Sequence, residues 1–213
     1  MRIPPALFAA FLVFLAAPLY AGAGAGAGAE RFVSADPAQG LVPAARYGPF
    51  RVIAPSRAVL AGVTDEDSPA QFAAMLRDFP GLAVLEMVEC PGTFDDRANL
   101  RLGRMIRAAG LVTHVPRGGS VRSGAVELFL AGASRVIDDG AEFAVHAWED
   151  DSGMEAGEYA ADAPENMKYL VYYREMGMDA AKAREFYTLT NATPFDEVRY
   201  LTRDDMARFV AIN

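Results

Sequence analysis

The chain has 213 residues, a length that fits one folded domain together with a targeting segment. Hydrophobic residues make up 52% and charged residues 23%, so the chain can bury a core and general disorder is excluded. The net charge of −8 argues against a nucleic-acid partner, because binding phosphates requires a basic face. The single cysteine, Cys90, cannot form an internal disulfide. With two histidines and no recognisable ligand spacing, we expect neither a metal nor a cofactor.

The amino end has the pattern of an export signal. Residues 1–21 carry Arg2, then an apolar run from Ala6 to Leu15, then small residues. We predict a signal peptide over 1–21 that makes the protein periplasmic or secreted. The alternative is an uncleaved membrane anchor, because the apolar run approaches the shortest length that spans a bilayer. A Gly/Ala repeat follows and predicts a flexible linker over 22–49, which leaves one domain over 50–213.

The remaining chain alternates between strand signals and helix signals. Ser68-Pro69 is a typical helix start, and the run Leu82 to Val88 is nearly all apolar, as expected for a strand buried on both faces. In chain order we predict strands at 50–53 and 58–63, a helix from 68, a strand at 82–88, a helix that ends at 110, a strand at 111–115, a Gly-rich turn at 116–120, a helix at 123–131, strands at 135–137 and 142–145, and helices at 164–176, 179–189 and from 202. This alternation predicts parallel strands in a layered α/β domain with a helical carboxyl-terminal tail.

One serine stands where a helix follows a glycine-rich turn. Gly118-Gly119 precede Ser123, and the residues after Ser123 are apolar up to Gly132 apart from one glutamate. The amino end of a helix favours an anionic centre nearby, so the position suits a nucleophile. Serine is also a common helix N-cap, so this residue alone leaves both interpretations open.

Two histidines could supply a base for that serine. His114 lies inside an apolar strand and is better explained as a structural residue. His146 lies at the carboxyl end of its strand, where α/β sheets expose their functional groups. We therefore predict His146 as the base. Lys168 lies in the helical tail and fits no serine–lysine arrangement.

The segment from Ser123 to His146 resembles the nucleophile region of the Clp-protease proteolytic subunit and its relatives in the Clp-protease/crotonase superfamily. In that family the serine precedes a small residue, an apolar helix and an Ala-Gly pair, which here is Ala131-Gly132. Arg135 and an apolar strand that ends in His146 continue the family's order. The likeness is strongest to a group of predicted periplasmic Clp-protease-like proteins and covers roughly residues 59–209.

This resemblance implies a fold of layered ββα units and a serine peptidase mechanism without a cofactor. The substrate would be a peptide or an unfolded protein, and the protein would assemble into a homo-oligomer. The orienting acid falls just before the last Leu-Thr segment, where a shift of one residue exchanges two candidates. The implied site consists of the nucleophile Ser123, the base His146, the acid Asp196 or Glu197, and the oxyanion donors Gly92, Thr93 and Gly124.

The chain departs from the family pattern at three places around this site. Thr93 replaces the second glycine of a Gly-Gly pair, Arg122 directly precedes the serine, and Gly124-Ala125 replaces Ala-Cys. The alternative function is therefore a catalytically inactive binding or scaffold protein of the cell envelope. A crotonase-like acyl-CoA enzyme is a third hypothesis, which the predicted export disfavours because coenzyme A is a cytoplasmic cofactor.

Overall fold

A computed structural model of the protein describes residues 43–213. The predicted signal peptide over 1–21 and most of the predicted linker lie outside the described residues. The strands of the described part are β1 Ala45–Tyr47, β2 Phe50–Ala54, β3 Arg57–Ala61, β4 Val84–Cys90, β5 Val112–Val115, β6 Ser120–Arg122, β7 Ser134–Ile137, β8 Glu142–Val145 and β9 Arg199–Leu201. Its helices are α1 Ser68–Asp78, α2 Asp96–Ala108, α3 Ala125–Leu130, α4 Pro164–Glu175, α5 Ala180–Asn191 and α6 Arg203–Ala207, with a 3-10 turn at Ala156–Glu158. None of these helices is both long enough and apolar enough to cross a membrane.

The strands form one mixed sheet that branches at β4. The main path runs in the order β1-β2-β3-β4-β6-β8-β9, and β5 joins β4 to β7 beside it. The strands from β3 to β8 pair in parallel, whereas β1, β2 and β9 pair antiparallel with their neighbours. Val84 to Glu86 of β4 pair with β5, and Glu89 and Cys90 pair with β6. The branch therefore aligns the carboxyl end of β6 with those of β4 and β8.

The helix α2 packs between α1 and α3 and carries much of the core. Its start is fixed by Asp95, whose side chain accepts a hydrogen bond of 2.8 Å from the N–H of Ala98. Leu102 and Ile106, four residues apart on one face, are fully buried. This face meets the apolar side chains of β4, of which Met87 is also fully buried.

The carboxyl-terminal helices are attached to α3 by two tyrosines of α4. The hydroxyl of Tyr172 donates a hydrogen bond of 2.7 Å to the carbonyl of Glu127, and the hydroxyl of Tyr173 donates one of 2.8 Å to its carboxyl group. Both tyrosine rings are almost completely buried, and the Tyr173 ring packs edge-on against Phe186 of α5 at 5.1 Å. The helical tail is thus part of the main core.

The alternation of strands and helices confirms the predicted α/β class and the helical tail. Three short strands were not predicted from the sequence. The strand β1 lies inside the predicted linker 22–49, β6 begins at the end of the predicted glycine-rich turn, and β9 precedes the last helix. Each has three residues and exists because a neighbouring strand pairs with it, so its own sequence carries little strand signal. The helix α3 also begins at Ala125, two residues after Ser123.

The close packing of α2 on α4 gives a prediction about stability. A Cβ atom at Gly103 would clash with the hydroxyl group and ring of Tyr172. We expect Gly103→Ala to lower the free energy of unfolding by about 1–3 kcal/mol, because overpacking displaces buried groups. Urea denaturation of the full chain, followed by fluorescence of the single tryptophan, measures the effect.

The matched control is Gly157→Ala, because a Cβ atom at Gly157 meets nothing within 4 Å. Equal stabilities for the two variants would contradict the packing argument.

Candidate functional site

Ser123 lies at a sharp turn between β6 and α3. Its φ angle is +50°, and within residues 43–213 it is the one residue other than glycine with a positive φ. The N–H of Ser123 donates a hydrogen bond of 2.9 Å to the carbonyl of Ala144 in β8, and the carbonyl of Ser123 accepts one of 2.9 Å from Val126. A left-handed conformation costs a non-glycine residue about 1–2 kcal/mol. The turn therefore holds the serine at the carboxyl end of the sheet at a cost in conformational free energy.

Gly124, the next residue, is wedged against the loop that follows β4. A Cβ atom at Gly124 would lie 2.6 Å from the methyl carbon of Thr93 and 3.2 Å from the amide nitrogen of Asn99. That nitrogen of Asn99 donates a hydrogen bond of 2.6 Å to the carbonyl of Gly124, and its amide oxygen accepts one of 3.0 Å from Thr64. A buried polar chain thus joins the loop after β3, the helix α2 and the serine turn.

The predicted oxyanion donors Gly92, Thr93 and Gly124 lie in the two segments that meet at the contact between Gly124 and Thr93. Gly92 has a φ of +141°, and its carbonyl accepts a hydrogen bond of 3.1 Å from the N–H of Thr64. Thr93 and Gly124 line the same cleft as Ser123, whereas Gly92 does not. Within the described chain, the N–H groups of Thr93 and Gly124 donate no hydrogen bond to another residue. The assignment of Gly92, Thr93 and Gly124 as oxyanion donors stays a prediction.

His146 follows directly after β8 and is 9% exposed. Its Nδ1 lies 2.7 Å from the carbonyl oxygen of Ala147. Because a carbonyl oxygen only accepts, this contact requires a proton on Nδ1. The ring packs edge-on against Phe195, with centroids 5.1 Å apart. The N–H of Phe195 is in turn held by the carboxylate of Glu155 at 2.7 Å.

Ser123 and His146 line the same cleft. His146 comes two residues after Ala144, the partner of the Ser123 amide, and two residues of extended chain span about 6.6 Å. Within residues 43–213, however, the hydroxyl of Ser123 makes no hydrogen bond, either to His146 or to another group. Such contacts are often loose in an enzyme without substrate, so the pairing of the two residues stays a prediction.

Asp196 and Glu197 lie in a turn after Pro194 and are both exposed. Neither lines the cleft that contains His146. The Nδ1 atom of His146 contacts the backbone carbonyl of Ala147. The assignment of Asp196 or Glu197 as the orienting acid stays a prediction.

Three other residues discussed from the sequence, His114, Arg122 and Cys90, do not line the cleft. His114 contacts Asp138, with its Nε2 3.1 Å from the carboxylate. Arg122 is 4% exposed and forms a buried ion pair with Glu89, so its bulk does not obstruct Ser123. Cys90 is buried, and burial raises the pKa of its thiol far above the ordinary range, so it is not a reactive thiolate.

The cleft has a volume of about 780 Å³ and an acidic lining. Among the described residues, no group of three or more His, Cys, Asp or Glu side chains is arranged to hold a metal ion. The lining contains two cationic side chains, Arg97 and Lys168. The six carboxyl groups are those of Asp95, Asp96, Glu127, Glu149, Asp150 and Asp151. A cleft with this excess of negative charge attracts cations and repels anions.

Sequence reasoning missed the carboxyl group closest in sequence to Ser123. Glu127 lies one helical turn after Ser123, lines the cleft and is 8% exposed. Burial raises the pKa of Glu127 to about 7, while the hydrogen bond from Tyr173 acts in the opposite direction. A single acid in an otherwise apolar helix was the signal that could have identified it. Trp148, Tyr169 and Asn99 were also missed, because long-range packing brings them to the cleft.

The fold has counterparts among solved structures. An enoyl-CoA hydratase/isomerase from Marinobacter aquaeolei matches with a TM-score of 0.50 and 8% identity, over 75% of this chain and 66% of that chain. A membrane protease specific for a stomatin homologue from Pyrococcus horikoshii matches with a TM-score of 0.44 and 14% identity, over 74% and 73%. No protein-family model matches the sequence, and no curated protein matches it.

The described domain has the Clp-protease/crotonase fold, as predicted. Its ββα units and helical tail place Ser123 at a strand–turn–helix junction, in the same cleft as His146. At these identities the likeness establishes the fold alone, and it leaves the chemistry of the site to be argued from the residues themselves.

The contact between Gly124 and Thr93 can be tested by a double-mutant cycle. We expect Gly124→Ala to lower the free energy of unfolding by about 1–3 kcal/mol, because the new Cβ atom meets the Thr93 methyl group. Thr93→Ser removes that methyl group and keeps the hydroxyl, so the double variant should recover part of the loss. Chemical denaturation of the four proteins measures the coupling. Strictly additive effects would contradict direct contact.

The buried carboxyl group of Glu127 predicts a pH-dependent stability. Its pKa is raised from 4.5 in the unfolded chain to about 7, so the folded state binds a proton more tightly. The contribution of this group to stability is therefore full below pH 4.5 and is lost as the pH rises to about 7. Relative to Glu127→Gln, the wild type should lose on the order of 2 kcal/mol across this window. Urea denaturation followed by circular dichroism measures the difference.

Tyr173→Phe provides the control, because removal of the hydrogen bond that favours the carboxylate should move the transition to higher pH. A difference in the free energy of unfolding between wild type and Glu127→Gln that does not vary with pH would contradict this prediction. It would show that Glu127 has the same pKa in the folded and the unfolded state.

Proposed function

We propose that the protein is a serine hydrolase that cleaves peptide bonds, with Ser123 as nucleophile and His146 as base. The observation that carries this proposal is the left-handed turn at Ser123. It presents a strained serine between a strand and a helix, in a cleft that His146 also lines. A serine that served only as a helix cap would occur at the cap position with an ordinary backbone, but the cap position here belongs to Gly124.

The chemical steps follow from the hydrogen bonds around the two residues. The Oγ atom of Ser123 attacks the carbonyl carbon of the peptide, and Nε2 of His146 accepts its proton. The carbonyl of Ala147 keeps the other ring nitrogen protonated, which selects the tautomer that the step needs. His146 then donates the proton to the leaving amine, and water releases the acyl group by the reverse sequence.

The oxygen that becomes negative during attack is stabilised by backbone amides. Thr93 and Gly124 supply N–H groups at the cleft surface. Threonine keeps the N–H that glycine has at this position in the family, so the replacement does not by itself remove the donor. Each such donor contributes about a hundredfold or more to the rate.

Two other functions fit the fold. An acyl-CoA enzyme is disfavoured by the cleft itself, because five carboxyl groups other than Glu127 face two cations there, and this excess of negative charge repels the phosphates of coenzyme A. A binding or scaffold protein without activity is favoured by Thr93, which replaces the second glycine of the family's oxyanion pair and resists the positive φ angles that glycine accepts. The labelling experiment below distinguishes this second candidate from the hydrolase.

The proposal also places the enzyme outside the cytoplasm. Its support is the amino-terminal sequence 1–21, in which Arg2 precedes an apolar run and small residues. The substrates would then be peptides or unfolded proteins of the cell envelope.

A fluorophosphonate probe tests whether Ser123 is activated. We expect the purified full chain to be labelled and Ser123→Ala to remain unlabelled. His146→Ala should be labelled at a rate at least about a hundredfold lower, because it lacks the general base. Gel fluorescence over a time course measures the rates.

Ser152→Ala is the matched control, because Ser152 lines the same cleft but its hydroxyl is hydrogen-bonded to Asp150 at 2.7 Å. Labelling that persists in Ser123→Ala, or folded wild type that is not labelled, would overturn the hydrolase proposal. The second result would favour the binding protein.

A further inference from the structure

One wall of the cleft is aromatic and already holds a cation. The rings of Trp148 and Tyr169 are stacked, with centroids 6.2 Å apart and planes inclined by 21°. The ammonium nitrogen of Lys168 lies 5.3 Å from the Trp148 centroid and 5.0 Å from the Tyr169 centroid. Both distances are within the range of a cation–π interaction.

A carboxylate completes this aromatic wall. Asp96 accepts a hydrogen bond from the hydroxyl of Tyr169, and its carboxylate lies 3.9 Å from the Lys168 ammonium group. Asp150 lines the same cleft and accepts hydrogen bonds from Ser152 and from Tyr159, whose ring packs against Trp148 at 5.4 Å. The wall therefore combines two ring faces with a carboxylate, the groups that recognise an ammonium or guanidinium ion.

The rings of Trp148 and Tyr169 are held by their surroundings, whereas the Lys168 side chain is partly exposed. The indole N–H of Trp148 donates a hydrogen bond of 2.8 Å to Tyr187, and the Tyr169 side chain is almost completely buried. The Lys168 side chain is 38% exposed and contacts Asp96 at the outer limit of an ion pair. An exposed side chain of this length can leave the rings without disturbing them.

We propose that the wall formed by Trp148, Tyr169 and Asp96 is a subsite for a lysine or arginine side chain of a peptide, and that Lys168 occupies it until the peptide binds. This inference deepens the proposed peptidase function and rests on it for its physiological meaning. Binding to the subsite does not require turnover, so it is tested separately from catalysis.

The test uses Ser123→Ala full chain, in which no turnover occurs, and the fluorescence of Trp148, the single tryptophan. The probes are three acetylated, amidated tripeptides, Gly-X-Gly, in which X is lysine, norleucine or glutamate. We expect the lysine peptide to change the fluorescence at a concentration at least about tenfold below that of the norleucine peptide. The glutamate peptide should not bind.

A second variant tests the role of Lys168. Lys168→Met in the same background should tighten binding of the lysine peptide about three- to tenfold, because it removes the internal competitor. Lys182→Met is the matched control, since Lys182 is the other lysine of the chain, is exposed, and does not line the cleft. Asp96→Asn should weaken binding. Near-ultraviolet circular dichroism of each variant verifies that the aromatic wall is intact.

The outcomes separate the two proposals. Selective binding of the lysine peptide supports the subsite, even if the fluorophosphonate probe does not react. Equal affinity for the lysine and norleucine peptides, in variants whose aromatic spectra are unchanged, overturns the subsite and leaves the labelling result standing. Lysine selectivity without any effect of Lys168→Met overturns the role of Lys168 as the internal occupant.

Discussion

The amide of Ser123 donates to the carbonyl of Ala144, and the geometry of the cleft follows from this backbone contact. It extends the pairing of β6 with β8 by one residue before the chain turns into α3. The same contact sets the serine beside the segment that emerges from β8 and carries His146. Because the turn is left-handed, the next residue must approach the loop after β4 closely, and glycine at position 124 permits this approach. The positions of Ser123, Gly124 and His146 therefore depend on the register of two short strands.

The sequence predicted the parts of the site that lie on strong local patterns. A glycine-rich turn, an apolar helix and an apolar strand mark the places of Ser123 and His146, which line one cleft, and the alternation of apolar runs predicted the fold. The strand β6 was missed because three residues between β4 and β8 carry no periodicity of their own. The aromatic wall was missed for a different reason. Trp148 and Tyr169 meet only after α4 folds back onto the sheet, and no spacing in the sequence records that contact.

Charge and apolar surface are distributed differently within the cleft. Near Ser123 burial raises the pKa of Glu127, whereas hydrogen bonds from Tyr159 and Ser152 lower the pKa of Asp150 in the same cleft. Glu127 is also fixed at both ends, because Tyr172 binds its carbonyl group and Tyr173 its carboxyl group. The helical tail thus does more than cover the core, because it sets the polarity next to Ser123. Two carboxyl groups of one cleft therefore hold a proton with very different strength.

The carbonyl group that contacts the His146 ring belongs to its own neighbour, Ala147. Exchanging the side chain at position 147 does not delete that oxygen, since all amino acids carry the same carbonyl group. The contact is therefore supplied by the peptide backbone, and side-chain substitution at this position leaves the acceptor in place. Replacing the amide after Ala147 with an ester, which weakens that carbonyl as an acceptor, would reach what point mutation cannot.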